Sequence, residues 1–68
     1  MAPKRLGRML KALRTSKDMG LRELADKAEV PFGYLSELER GKKTNPSLAV
    51  LQRLARALGV KLEELVKS

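Results

Sequence analysis

Sixty-eight residues with 15 Lys and Arg against 8 Asp and Glu, a formal net charge of +7, make one domain near the lower size limit for folding on a hydrophobic core alone. The chain has neither Cys nor His, which excludes disulfide staples and Cys/His zinc sites and leaves acid–base or nucleophilic catalysis few players. No apolar run approaches the ~18 residues of a membrane span and no signal peptide is evident, so the expectation is a cytoplasmic, non-enzymatic protein without cofactor, membrane partner or small-molecule ligand.

The charge is unevenly placed. Residues 1–17 carry Lys4, Arg5, Arg8, Lys11, Arg14 and Lys17 with no acid, residues 18–39 sum to −4 and residues 40–56 to +5. Two basic segments bracket an acidic middle. On a polyanion they would take phosphates and release counterions. Charge alone is equally met by a solvated surface that keeps the protein soluble.

Along the chain the pattern is all-helical. Leu6, Met9, Leu10 and Leu13 fall at i, i+3, i+4 and i+7, which predicts a first helix over about 4–17. Arg14 lies on the flank of that apolar stripe. Leu21, Leu24, Ala25 and Ala28 repeat the spacing and predict a second helix over about 21–28, with Gly20 as N-cap and Glu23 three residues on. A third helix over about 32–40 is stopped by Gly41, before the polar loop Lys42-Lys43-Thr44-Asn45-Pro46. Ser47 caps a fourth helix over about 48–58, with Leu48, Leu51, Leu54, Ala55 and Leu58 as its expected core face and Gly59 at its end. A short fifth helix runs over about 62–67, and no strand signal exists.

The third segment is the most informative. Advancing about 100° per residue from Phe32 puts Leu35 at about 300° and Leu38 at about 240°, which fixes the buried direction. Gly33, Ser36, Glu37 and Arg40 then face outward, with Phe32 and Tyr34 on the edges. Two short amphipathic helices joined by a tight turn, in a basic chain, are what presenting one helix to the major groove of DNA requires. In that setting Gly33 allows close approach, Ser36 donates or accepts, Glu37 accepts from a cytosine amino group, and Phe32 meets a thymine methyl. Arg40, at the helix end, reaches phosphate rather than a base. Tyr34 either offers its hydroxyl to a phosphate or packs. Glu37 would be repelled by phosphates without a base donor, so it acts mainly by rejecting wrong sequences; its plainer role is a solubilising surface residue. Glu39 falls beside the core side of the third helix, where an ion pair with Arg14 would tie it to the first.

Leu21-Arg-Glu-Leu-Ala25, Tyr34-Leu-Ser-Glu-Leu-Glu-Arg-Gly41, Asn45-Pro-Ser-Leu48 and Leu54-Ala-Arg-Ala-Leu-Gly-Val60 with Leu62-Glu-Glu-Leu65 resemble the Xre/Cro-type, lambda-repressor-like helix-turn-helix regulators. The resemblance covers nearly the whole chain. It implies a compact five-helix bundle whose third helix enters the major groove, with the following loop along phosphates. Carried over by position, Phe32, Gly33, Ser36 and Glu37 are base contacts, and Tyr34, Arg40, Lys42, Lys43, Thr44 and Asn45 are phosphate contacts. The Arg14–Glu39 pair matches a family feature. Three positions depart from the pattern. Glu29 stands where the family often has glycine and is expected at positive φ. Pro31 replaces the usual Ser or Thr cap. Leu21 replaces a phosphate-touching glutamine, leaving Arg22 as the nearest helix-two anchor.

The expected function is a transcriptional regulator, a repressor in the first instance, that binds a short palindrome in double-stranded DNA as a homodimer. Leu62, Leu65 and Val66 exceed what a short helix needs for the core and are the expected dimer surface; the alternative is that all three close the bundle. An antitoxin-like protein-binding module is the second reading. Non-specific nucleic-acid coating leaves the uncharged Gly33/Ser36 face unexplained, and a membrane helix at residues 4–17 lacks aromatics and is needed for the core.

Overall fold

The computed structural model describes residues 3–43 and 45–66, of residues 3 and 4 the backbone alone. Among the described residues the helices are α1 (Pro3–Ser16), α2 (Leu21–Ala28), α3 (Phe32–Glu39), α4 (Leu48–Leu58) and α5 (Leu62–Val66). Their principal contacts run α1 to α3, α3 to α2, α2 to α4, α4 to α5 and α5 back to α1. The helices therefore close a ring around one core of Leu10, Leu24, Leu35, Leu38, Leu54, Leu58 and smaller residues.

One device ends four of the five helices. Asp18, Glu29, Gly41 and Gly59 adopt φ of 58°, 59°, 81° and 71°. Each is followed by a residue whose N–H reaches back five positions: Met19 to Arg14, Val30 to Ala25, Lys42 to Glu37 and Val60 to Ala55, at 2.9–3.0 Å. These are Schellman endings, which satisfy carbonyls the helix leaves open. The reversal also swings Met19 and Val30 into the core and half-buries Val60. Gly41 and Gly59 take the left-handed turn without strain; Asp18 and Glu29 do not have that freedom.

At the helix starts, Ser47 Oγ accepts from the Val50 N–H at 3.2 Å, as expected. At α2, Gly20 donates its N–H to Glu23 Oε1 at 3.4 Å, the half of a capping box open to a residue without a side chain. Pro31 offers α3 no side-chain cap; its carbonyl accepts from the Leu35 N–H at 3.0 Å.

Two core expectations are corrected. Leu48, expected inside, is 58% exposed. Helical side chains lean toward the N terminus, so at the first position of α4 its side chain leans off the end of the helix. Leu65, expected on a dimer surface, is 2% exposed and belongs to the core, because α5 must close the ring against both α4 and α1. Lys67, expected to end the fifth helix, lies outside the described residues.

Candidate nucleic-acid interface

α3 shows how its sequence sorts into two faces. Leu35 and Leu38 are fully buried, and Tyr34 packs half-buried against the core. Gly33, Phe32 and Arg40 are exposed; Ser36 and Glu37 are half-buried. A Cβ built on Gly33 would meet nothing within 4 Å, so the outward face is open at its second residue.

The back of α3 is clamped to α1. Arg14 Nε donates to Glu39 Oε2 at 2.7 Å and Arg14 Nη2 to Glu39 Oε1 at 3.0 Å, with side chains 12% and 7% exposed. Arg14 Nη1 also donates to the Met19 carbonyl at 3.0 Å. The hydrogen bond to Glu39 raises the Arg14 pKa above that of a free guanidinium; burial opposes this and the Glu39 charge adds to it. The pair is bidentate, the geometry in which arginine surpasses lysine. Beside it, Gly7 is buried so closely under α3 that a Cβ would fall 2.4 Å from the Leu38 carbonyl oxygen and 2.6 Å from that of Glu39. Sequence reasoning missed Gly7, because a lone glycine in a helical pattern signals nothing until its neighbour is known.

Both ends of the outward face carry cations. At the N-terminal end, Arg22 of α2 lies over the Phe32 ring, its Cζ 4.3 Å from the centroid. At the C-terminal end, Lys43 Nζ lies 3.7 Å from Glu37 Oε1, and the N–H groups of Lys42 and Lys43 donate to the Glu37 carbonyl at 2.9 and 3.3 Å. The start of the loop is thus folded onto the last turn of α3. Lys42 and Asn45 are exposed; Thr44 lies outside the described residues. The turn between α2 and α3 receives a long contact from α4, Arg53 Nη1 to the Glu29 carbonyl at 3.5 Å.

The arrangement is suited to binding a polyanion along one helix, with a small uncharged window at Gly33 and Ser36. Among the described residues no acidic cluster has the makings of a metal site, and no helix is long and apolar enough to cross a membrane.

An α3 carried at a tight turn behind α2, inside a ring of five helices, is the architecture of a helix-turn-helix domain, and the chain belongs to the helix-turn-helix family, whose profile matches residues 10–65. Among curated relatives it is 41% identical over 58 residues to the HTH-type transcriptional regulator DdrOP3 of Deinococcus deserti, covering 85% of this chain and 44% of that protein. It is 39% identical over 61 residues to the HTH-type transcriptional regulator SinR of Bacillus subtilis, covering 90% of this chain and 55% of SinR. The chain thus spans about half the length of the curated relatives it matches. Among solved structures it resembles SinR, the master regulator for biofilm formation, in complex with DNA: TM-score 0.87, 39% identity, 90% of this chain and 97% of that one. The clp gene regulator ClgR of Corynebacterium glutamicum is similar at TM-score 0.88 and 39% identity, over 98% of this chain and 70% of that one.

Proposed function

We propose that this chain is the DNA-binding domain of a transcriptional regulator, a repressor, which inserts α3 into the major groove of a palindromic operator as a homodimer. The observation that carries the reading is the outward face of α3, flanked at both ends by cations held against it, Arg22 on Phe32 and Lys43 on Glu37. The relative SinR, crystallised with DNA, supports it. Phe32, Gly33, Ser36 and Glu37 meet base edges, while Arg22, Arg40, Lys42, Lys43, Thr44 and Asn45 meet phosphates. Tyr34, half-buried against the core, is the further phosphate contact of this reading, through its hydroxyl.

Two copies are what a palindromic operator would require of a domain this size. The longest principal extent of the Cα trace is 27 Å, shorter than the ~34 Å between successive half-sites on one side of the duplex. On such an operator one copy would reach one half-site. With Leu65 in the core, Leu62 and the 54%-exposed Val66 remain as the α5 contribution to a dimer surface.

In-vitro selection from random duplex DNA at near-physiological salt tests the proposal. Enrichment of an inverted repeat is the expected result. Binding that selects no motif and only fades with salt would reduce the function to charge. The exposed Leu48 and Val66 would then favour the second reading, a module whose partner is a protein.

A further inference from the structure

We propose that the Arg22–Phe32 stack is a reader of the pyrimidine C5-methyl group, with Phe32 making the contact and Arg22 acting as its positioning residue. The inference rests on α3 as the groove-facing helix. Phe32 is the first residue of α3 and is 39% exposed, the one aromatic ring at the open end of the outward face. Arg22, one residue into α2, places its guanidinium carbon 4.3 Å from the ring centroid. A cation on one face of the ring, where the negative lobe of the quadrupole lies, restrains the side chain's rotation. With the ring 39% exposed, part of its apolar surface stays open to a ligand.

The chemistry of that ligand is set by its surroundings. A guanidinium that meets a ring through its planar face keeps its N–H donors for phosphate or base acceptors. The stack therefore offers a fixed apolar surface directly beside a fixed positive charge. In the major groove the apolar group on a base edge is the C5-methyl of thymine, and 5-methylcytosine presents the same methyl at the same ring position. Gly33, the next residue, has no side chain and nothing within 4 Å of where one would be, so the base edge meets no obstruction beside the ring. Removing the ring deletes the contact; removing the guanidinium leaves the ring present but unrestrained.

The test uses the operator obtained by selection. Each thymine of a half-site is replaced in turn by deoxyuridine, which lacks only the methyl group, and binding is measured for wild type, Phe32→Ala and Arg22→Lys. Wild type is expected to lose affinity about fourfold at one position per half-site, what burying one methyl supplies. Phe32→Ala should bind thymine and deoxyuridine there equally. Arg22→Lys should keep the salt dependence of wild type while the thymine-to-deoxyuridine ratio falls toward one, a change that a purely electrostatic Arg22 would not produce. At the same position, a 5-methylcytosine pair should bind about fourfold more tightly than a cytosine pair. Methyl dependence that survives Phe32→Ala, or is absent at every position of a site the protein does select, overturns the proposal. An unchanged ratio in Arg22→Lys overturns the positioning role. A methylated cytosine that gains nothing overturns the extension beyond thymine. Failure to select any site is a different result, visible before deoxyuridine is used, and it removes the groove-facing reading together with this one.

Discussion

Glu29 holds φ 59° and ψ 44° to turn the chain from α2 into α3, with its side chain exposed. For an L-residue this conformation costs roughly 1–2 kcal/mol, which glycine avoids while losing some of the gain to chain entropy. Glu29→Gly is therefore expected to stabilise the fold by about 1 kcal/mol, a rise of about 4–8 °C in melting temperature for a domain this small. A calorimetric scan reads this directly; a lower melting temperature would mean the Glu29 side chain makes a contribution larger than the strain. Glu37 is governed by a different balance. Its half-buried carboxylate sits 3.7 Å from the exposed Lys43, a solvated pair of the kind that contributes little. Glu37→Gln should leave stability within about 0.5 kcal/mol and change the preferred base at one operator position. Repeated selection with an identical motif would take Glu37 out of base recognition.

At the scale of elements, the contact between α1 and α3 sets where the outward face of α3 lies. It has two components: the backbone approach over Gly7 and the Arg14–Glu39 pair. Alanine has the better helix propensity, yet Gly7→Ala should destabilise by about 2 kcal/mol, since backbone carbonyls cannot yield as side chains do. Urea denaturation measures it, and a stabilised variant would show that α1 slides freely over α3. For the ion pair, Arg14→Met alone should cost about 3 kcal/mol, because Glu39 is left buried without its partner. Arg14→Met with Glu39→Leu should cost clearly less than the two single changes summed. An additive cycle would mean that the pair is solvated and contributes no coupling.

These elements also show what a sequence can and cannot disclose. Leu35 and Leu38 were readable because the helical period alone assigns them to one face, and the Arg14–Glu39 pair followed from two flanking positions. Glu29 at positive φ was legible only through the family resemblance, which often has glycine at that position. Met19 and Val30 were not, because they reach the core through left-handed turns that break the period. Leu48 and Leu65 exchanged their expected places for a related reason. Periodicity gives a residue's direction around its own helix, not whether a neighbour lies there. The Arg22–Phe32 stack depends on the angle between α2 and α3, which no single segment encodes.

For the whole molecule, the net charge of +7 makes binding to any duplex salt-dependent, and the loop after α3 should carry a measurable share. Replacing Lys42 and Lys43 together by Ala should weaken binding to all sequences alike. It should lower the slope of log affinity against log salt by about 2, if each lysine neutralises one phosphate. A slope lower by only about 1 would mean that Lys43 stays with Glu37 in the complex. An unchanged slope would remove the loop from the phosphate backbone.

The closed ring of helices also bears on how the chain is made. α1 has two of its neighbours, α3 and α5, later in the sequence, and α5 is the last of the described helices. On the ribosome α1 emerges before both of these partners, so its contact with α5 is made after the rest of the ring has been synthesised. Leu65 supplies a core position that nothing upstream replaces. At roughly 5–20 residues per second, α5 follows the end of α4 by about a second. Until α5 joins, the ring of described helices lacks the element that bridges α4 and α1, and with it the core side chain of Leu65.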